Sequence, residues 1–239
     1  MTQTIDKSDD AVRKMFGEIA PNYDRLNHLL SMNVDHYWRR QVVRKLSPKL
    51  GDPILDVCTG TGDLALALWR HTKGQCPIVG TDFCPEMLEI GRSKQIRLGV
   101  PAEQLRFVEA DSQALPFPDN SFQFVTVAFG LRNIADPQRG LSEMVRVCRP
   151  SGSVAILEFS IPRRQPIKSA YGMYFKHVLP TIGRVVNRNR TSAYNYLPNS
   201  VEQFPAYEQL ADWLREAGLN QVKFFPLTFG IATLYVGVK

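Results

Sequence analysis

Short apolar runs alternate with segments of helical periodicity along most of the chain. Apolar runs that suit buried strands lie at 54–58, 78–82, 105–110, 122–129 and 153–159, and segments of helical spacing lie between them at 62–71, 85–99 and 137–147. This alternation predicts an α/β protein with a doubly wound, mostly parallel sheet. A helix at 206–217 and two closing strands at 221–227 and 231–238, expected to form a hairpin, complete a seven-stranded sheet.

The flanking regions follow a different pattern. Apolar residues at helical spacing predict N-terminal helices that include pieces at 23–31 and 38–46. We therefore divide the chain into an N-terminal helical segment, an α/β core, a helical insertion, and a closing helix with a hairpin that belongs to the core. The boundaries are 1–50, 51–160, 161–205 and 206–239, in that order.

The insertion carries the net charge of the protein. The whole chain has a formal charge of +6, and residues 161–200 contain seven Lys or Arg and no acid. An apolar stripe at helical spacing runs from Tyr171 to Ile182 in the same segment and is expected to bend or end near Pro180. One interpretation is a solvated basic face above a packed stripe. The other is a lid over an apolar substrate, with peripheral membrane contact through 161–200.

Composition narrows the class of protein. The chain has 239 residues, a polar N-terminus unlike a signal peptide, and no apolar run near the roughly 18–20 residues of a membrane span. Four cysteines without metal-like spacing indicate reduced thiols and a cytoplasmic location, and four scattered histidines indicate no metal site. The sequence leaves the oligomeric state open.

The segment Gly60-Thr61-Gly62-Asp63 directly follows the first predicted strand and begins a helix. Glycines two apart allow a sharp turn and let a ligand lie against the backbone. Asp82 ends the second predicted strand, where a carboxylate can accept both hydroxyl protons of a ribose. The pattern also fits a dinucleotide, but Asp63 would repel a pyrophosphate and suits the cationic end of S-adenosylmethionine. An adenosine-containing cofactor is expected, with the methyl donor favoured.

From about residue 12 to residue 239, the sequence resembles the class I S-adenosylmethionine-dependent methyltransferases, and specifically the ubiquinone/menaquinone biosynthesis C-methyltransferases. The resemblance rests on Tyr23-Asp24 with Asn27, Ser31 and Trp38, on Phe129-Gly130-Leu131-Arg132-Asn133, and on Arg146-Val147-Cys148-Arg149-Pro150-Ser151-Gly152 with Leu157-Glu158-Phe159-Ser160. Asp35, and Leu234 or Tyr235, stand where these enzymes often have His, which leaves the quinone ring specificity open.

The resemblance implies roles for the cofactor site. It assigns Asp82 to the ribose hydroxyls, Asp111 and Ser112 to the adenine side, Gly60 and Gly62 to close backbone approach, and Thr59 and Asp63 to the methionine end. Asp56 is expected to orient the loop by accepting its N–H groups. A structural cap is the alternative for Asp111.

The resemblance also places Arg132 and Asn133 near a quinol ring, with Arg132 as phenolate stabiliser or water orienter, or else as a surface residue that caps the next helix. Tyr23, Asn27 and Trp38 are expected to shape the roof of that pocket, although Tyr and Trp are often core residues. A ring carbon is nucleophilic only in the reduced quinol, so the substrate is expected to be a quinol.

The expected reaction is C-methylation of a phytyl or polyprenyl 1,4-naphthoquinol, most like the cyanobacterial or plastid type. Benzoquinol C-methylation is one alternative. A nucleic-acid methyltransferase is another, but no Asn-Pro-Pro-aromatic element follows the fourth strand, so nucleic acid is not expected as a partner. A nicotinamide dehydrogenase is disfavoured because no Tyr-x-x-x-Lys pair follows the central strands.

Overall fold

The computed structural model describes residues 9–178 and 192–239. The helices are α1 Asp9–Ile19, α2 Tyr23–Leu30, α3 Val34–Lys45, α4 Asp63–Thr72, α5 Pro85–Arg97, α6 Pro137–Val147, α7 Ile167–Met173, α8 Ser192–Gln203 and α9 Glu208–Glu216. The strands are β1 Ile54–Val57, β2 Ile78–Asp82, β3 Leu105–Glu109, β4 Phe122–Ala128, β5 Cys148–Phe159, β6 Asn220–Leu227 and β7 Ala232–Val238. Leu179, Pro180, Ile182, Arg184, Arg188 and Arg190 of the predicted lid lie outside these residues.

The strands form one seven-stranded sheet in the order β3-β2-β1-β4-β5-β7-β6. Strands β1 to β5 are mutually parallel, and β7 runs antiparallel to both β5 and β6. The predicted doubly wound, mostly parallel sheet with a closing hairpin is therefore confirmed. All four residues of β1 are buried, as expected for a central strand covered on both faces.

Three elements differ from the sequence prediction. α3 begins at Val34, before the expected residue 38, because its first turn is polar and Asn33 precedes it in the left-handed conformation. β5 begins at Cys148 rather than 153, and a β-bulge lies in its pairing with β4. The apolar stripe is not one regular α-helix, since α7 ends at Met173 and a π-helical turn follows over Tyr174–Val178.

Two large clusters of buried apolar residues form the core, and a small third cluster joins the N-terminal helices to it. In the third cluster Ala20, Cys84 and Met87 pack with Phe16 and Tyr23, beyond the end of β2. The N-terminal segment therefore covers part of the edge at which the parallel strands end. Among the described residues, no helix has the length and apolar character needed to cross a membrane.

Candidate active site

Two cavities meet at the carboxyl edge of the parallel strands, where ligands bind in open α/β sheets. We call one the polar cavity, because Asp82, Asp111 and Ser112 lie in its wall. We call the other the apolar cavity, because aromatic side chains including Trp38 and Phe159 line much of it. Both cavities are lined by Phe16, Tyr23, Cys58, Gly60, Ala128 and Phe129. A ligand in one cavity can therefore reach a ligand in the other.

Asp82 is placed at the end of β2 with its carboxylate in the polar cavity. One oxygen accepts the N–H of Gly60 at 2.8 Å and the other accepts the N–H of Cys84 at 3.0 Å. Burial raises the pKa of Asp82 to about 6, and these N–H groups oppose that rise. A carboxylate has about four lone-pair sites, so this group still has capacity to accept two ribose hydroxyls.

The two loop glycines have different structural roles. Gly60 has φ +56°, borders both cavities, and a Cβ built there would meet only Tyr23, at 4.0 Å. Gly62 has φ +80°, and a Cβ there would lie 2.6 Å from Cζ of Phe107 in the core. Close approach of a ligand thus suits Gly60, whereas Gly62 is required by core packing. Gly62 lines neither cavity and Phe107 fills the side on which a Cβ would stand, so ligand approach at its backbone stays a prediction.

Asp56 does not orient the loop through the expected N–H groups. Its carboxylate accepts the hydroxyl of Thr59 at 2.6 Å and the hydroxyl of Thr126 at 2.7 Å, while the N–H of Gly60 goes to Asp82. Burial raises the pKa of Asp56 to about 6, against the lowering effect of the two threonine hydroxyls. Asp56 and Thr59 both line the apolar cavity.

Asp63 begins α4 as expected, but two basic side chains lie beside its carboxylate. Lys94 Nζ lies 2.6 Å and Arg39 Nη2 lies 3.4 Å from its carboxylate oxygens. Burial favours the neutral acid, but Arg39 and Lys94 outweigh it and lower the pKa of Asp63. Lys94 also contacts Asp24 at 2.7 Å. Asp63 therefore does not present an uncompensated negative charge to the cofactor, and this site carries both signs of charge.

Asp35 and Arg39 extend this network along α3 into the wall of the apolar cavity. Asp35 accepts hydrogen bonds from Ser31, Arg39 and His28. Although burial acts to raise it, the pKa of Asp35 is lowered to about 2 by the bonds from Ser31 and Arg39 and by the Arg39 charge. His28, Asp35 and His36 offer ligand atoms within 4.8 Å of one another, but the adjacent Arg39 guanidinium disfavours a cation there.

Arg132 lies in the wall of the apolar cavity and is buried with 6% of its surface exposed, which excludes the surface capping role. Its Nη1 donates to Oε1 of Glu158 and to the carbonyl of Phe129, both at 2.6 Å. Nε of Arg132 and the hydroxyl of Tyr171 are buried without a hydrogen-bond partner among the described residues, and Tyr171 lines the same cavity. Two residues of the cavity wall therefore carry buried donors for which the described residues provide no acceptor.

Asn133 is directed to the other cavity. It lines the polar cavity, its amide donates to the carbonyl of Phe129 at 3.1 Å, and its Oδ1 accepts from the hydroxyl of Tyr196 at 3.1 Å. Tyr196 reaches it from α8 and lines the apolar cavity. Arg132 and Asn133 thus do not share the expected position, because the 3-10 turn Leu131–Asn133 directs neighbouring side chains to different cavities.

Tyr23, Asn27 and Trp38 all lie in the wall of the apolar cavity. Burial raises the pKa of Tyr23, which keeps its hydroxyl protonated. Trp38 Nε1 donates to Thr228 Oγ1 at 2.8 Å, and the Trp38 ring packs against Phe129 and Phe159 with centroids 5.7 and 5.8 Å apart. Trp38 is therefore a wall residue fixed by the core as well as by the cavity.

Asp111 and Ser112 follow β3 and line the polar cavity. Asp111 is exposed and its Oδ1 accepts the N–H of Gln113 at 2.8 Å, so it also acts as the local turn cap considered above. The second carboxylate oxygen remains available to a ligand.

These groups fit S-adenosylmethionine. The polar cavity has a volume of about 610 Å³, within the roughly 300–1,000 Å³ of small-molecule sites, and Asp82 supplies the acceptors that a ribose needs. Arg39 and Asp63 beside the loop match a group that carries both a carboxylate and an ammonium. Fold and site together define a class I S-adenosylmethionine-dependent methyltransferase.

Comparison with known proteins identifies the family. Residues 3–239 match the model of the ubiE/COQ5 methyltransferase family. A ubiquinone/menaquinone biosynthesis C-methyltransferase of Citrifermentans bemidjiense is 43% identical over 98% of this chain and 99% of that protein. A demethylmenaquinone methyltransferase of Thermus thermophilus is 47% identical over 93% of this chain and 99% of that protein. The chain belongs to the ubiE/COQ5 methyltransferase family, and the resemblance read from the sequence is confirmed.

Solved structures agree on the fold. A possible histamine N-methyltransferase of Thermotoga maritima, described as S-adenosylmethionine-dependent, superposes with a TM-score of 0.65 over 95% of this chain and 99% of that chain, at 18% identity. An S-adenosylmethionine-dependent methyltransferase of Aquifex aeolicus gives a TM-score of 0.60 at 19% identity, over 83% of this chain and 88% of that chain. These likenesses show the shared fold, and membership of the ubiE/COQ5 methyltransferase family makes the protein an S-adenosylmethionine-dependent enzyme.

Several site residues were missed from the sequence. Arg39 and Lys94 belong to helices whose exposed faces also carry many charges, so nothing in their spacing distinguishes them. Glu158 lies in the Leu157-Glu158-Phe159-Ser160 motif, but its partner Arg132 is not recognisable without the fold. The available signal was an acid inside an otherwise apolar strand, which requires a buried partner.

Proposed function

We propose that the protein transfers a methyl group to a ring carbon of a 1,4-naphthoquinol that carries a phytyl or polyprenyl tail. The two unpartnered donors in an aromatic cavity, Arg132 Nε and the Tyr171 hydroxyl, carry this proposal. A 1,4-quinol has two ring oxygens that can accept from such donors, and a planar ring suits aromatic walls. Relatives named demethylmenaquinone methyltransferases support the naphthoquinol.

S-adenosylmethionine supplies an electrophilic methyl group when it is bound. The residues shared by the two cavities, among them Tyr23 and Gly60, allow that group to face the acceptor ring. Positioning of two reactants can supply up to roughly 7–11 kcal/mol of the barrier reduction. Because Glu158 already compensates its charge, Arg132 acts chiefly as a hydrogen-bond donor to the ring oxygen that becomes the phenolate.

The ring must lose a phenolic proton for its carbon to attack. Of the carboxylates in the wall of the apolar cavity, Asp35 and Asp63 have lowered pKa values and are weak bases. Asp56 has a pKa of about 6, near the value that suits a general base at neutral pH. Thr59 donates its hydroxyl proton to Asp56 at 2.6 Å and lines the cavity, so it can relay the proton.

The tail makes the acceptor a lipid, so the enzyme meets it at a membrane surface. The basic insertion at 161–200 contributes electrostatically to this contact, with about 1 kcal/mol for each Lys or Arg near an anionic surface. Arg163 contributes little because it is ion-paired with Glu208 of α9. Arg184, Arg188 and Arg190 lie outside the described residues and remain candidates on sequence grounds.

The reaction is tested with labelled S-adenosylmethionine and a phytyl naphthoquinol, a prenylated benzoquinol and bulk RNA as separate acceptors. Label should enter organic-soluble naphthoquinol product only under reducing conditions, since the oxidised ring is a poor nucleophile. Preferential labelling of the benzoquinol would favour the ubiquinone-type reaction, for which the relative from Citrifermentans bemidjiense is a precedent by name. Equal turnover of the oxidised quinone, or label in RNA alone, would refute the proposal.

A further inference from the structure

Four large apolar side chains are exposed beside the apolar cavity, and we call them the rim. They are Met32 and Phe229, each 76% exposed, Met173 at 64% and Leu29 at 53%. Each is one or two residues from a residue that lines the cavity, namely Leu30, Ser31, Tyr174 or Ile231. They come from three separate segments of the chain, so local sequence does not group them.

Hydrogen bonds between these segments hold the rim together. The hydroxyl of Tyr174 donates to the carbonyl of Leu30 at 2.7 Å, which joins the π-helical turn to the end of α2. Nε1 of Trp38 donates to Thr228 Oγ1 at 2.8 Å, which joins α3 to the turn that carries Phe229. The rim is therefore a fixed feature around one cavity and not a set of unrelated surface residues.

Two rim residues have an unfavourable backbone conformation that core packing does not explain. Met32 has φ 51° and Phe229 has φ 60°, in the left-handed region that bulky residues rarely adopt. Burial of these side chains in the core cannot offset that cost, because both are largely exposed. Exposed apolar residues in a strained backbone beside a ligand cavity indicate a contact surface.

Basic side chains near the rim favour contact with an anionic surface. Arg25 lies on α2 one helical turn before Leu29, Lys168 lies on α7 with Met173, and both basic side chains are exposed. Neither of these basic side chains has an ion-pair partner within 9–178 and 192–239. The acids of α2 and α3 are Asp24 and Asp35, and both already pair with basic residues.

We propose that the rim is the surface with which the protein rests on an anionic lipid bilayer. Leu29, Met32, Met173 and Phe229 enter the region between headgroups and acyl chains, and the neighbouring basic residues meet the headgroups. The prenylated acceptor then passes from the bilayer into the apolar cavity without crossing water, a step that rests on the proposed function. This surface differs from the basic faces expected at 161–200, with which it shares Met173 and Lys168.

The test compares binding of the purified protein to vesicles of phosphatidylglycerol and phosphatidylcholine, without any quinol present. The variant Met32→Asn/Phe229→Asn removes two apolar side chains, and Asn tolerates the left-handed backbone at both positions. The matched control is Leu50→Asn/Ile96→Asn, since these residues are 64% and 79% exposed and line neither cavity. The rim variant should bind vesicles at least about tenfold more weakly, equivalent to ~1.4 kcal/mol, and the control should match the wild type.

The rim variant should also turn over a tail-less naphthoquinol at the wild-type rate and lose activity towards the long-tailed quinol in vesicles. Vesicle binding by the rim variant equal to the wild type would overturn the proposal. If the wild type is a dimer and the rim variant is a monomer with weaker vesicle binding, the proposal would be overturned in favour of contact between two copies of the chain. Normal vesicle binding by a wild-type enzyme that methylates no quinol would refute the proposed function and leave the bilayer surface standing.

Discussion

The buried pair of Arg132 and Glu158 makes a demanding test of the site. Arg132→Ala removes the 2.6 Å contact to Glu158, the 2.6 Å bond to the Phe129 carbonyl and the guanidinium 5.2 Å from the centre of the Phe159 ring. Breaking a buried ion pair by removing one partner typically costs about 3–5 kcal/mol. Glu158, which is 1% exposed, keeps the N–H of Phe159 at 2.9 Å and that of residue 132 at 3.3 Å.

Because these N–H groups still stabilise the carboxylate, we expect a loss near the lower limit, ~3 kcal/mol. For a chain of this length each kcal/mol lowers Tm by roughly 2–4 °C, so Arg132→Ala should lower Tm by roughly 6–12 °C. The double variant Arg132→Met/Glu158→Gln removes both charges and keeps an acceptor for Phe159. It should recover most of this stability. Exposed Arg139→Ala serves as the control and should change stability by no more than about 0.5 kcal/mol.

Denaturation of the wild type, Arg132→Met, Glu158→Gln and the double variant gives the coupling energy between the two side chains. Activity is then compared in the stable double variant, so that loss of fold is not mistaken for loss of chemistry. Turnover should fall much more than cofactor affinity, since Arg132 lines the apolar cavity and not the polar one. A coupling energy below about 1 kcal/mol would contradict the pairing of Arg132 with Glu158. Wild-type turnover by the double variant would contradict a role of Arg132 in the reaction.

The other predictions concern the loop and its carboxylates. Asp82→Asn should weaken S-adenosylmethionine binding about 10- to 100-fold by calorimetry because a charge-assisted acceptor is lost, and unchanged affinity in a folded variant would remove Asp82 from the site. Asp56 has a folded pKa of about 6 against 3.8 in the unfolded chain, so the native state binds more protons between these values and its stability falls as pH rises from about 4 to 6. In Asp56→Asn the free energy of unfolding should fall ~3 kcal/mol less over this pH range, and the similar contribution of Asp82 should persist. If the free energy of unfolding of Asp56→Asn depends on pH as in the wild type, Asp56 is not the source of the decrease. Gly62→Ala should lower Tm more than Gly60→Ala, whereas Gly60→Ala should weaken cofactor binding more; the reverse order would mean that the assignment of packing and ligand approach is inverted.

Hydrophobic periodicity by itself determined the order of strands and helices, because burial on both faces of a sheet requires continuous apolar runs such as that of β1. The same pattern predicted correctly that Gly60 and Asp82 follow or end neighbouring strands. Because the carboxyl ends of parallel strands meet at one edge of the sheet, the two residues lie at the same edge. The boundaries of α3 and β5 were less well predicted, because polar first turns and a bulge carry little of this periodicity.

Only the tertiary structure decided which charges face one another. Arg39, Asp63 and Lys94 come from three different helices, and Arg132 meets Glu158 across 26 residues of chain. Such pairs depend on how distant elements approach, and the free energy of each pair depends on its burial, which local spacing does not encode. The different roles of Gly60 and Gly62 also depend on the tertiary structure. The two glycines occur in the same loop motif, but the ring of Phe107 from β3 fills the space beside Gly62 and not beside Gly60.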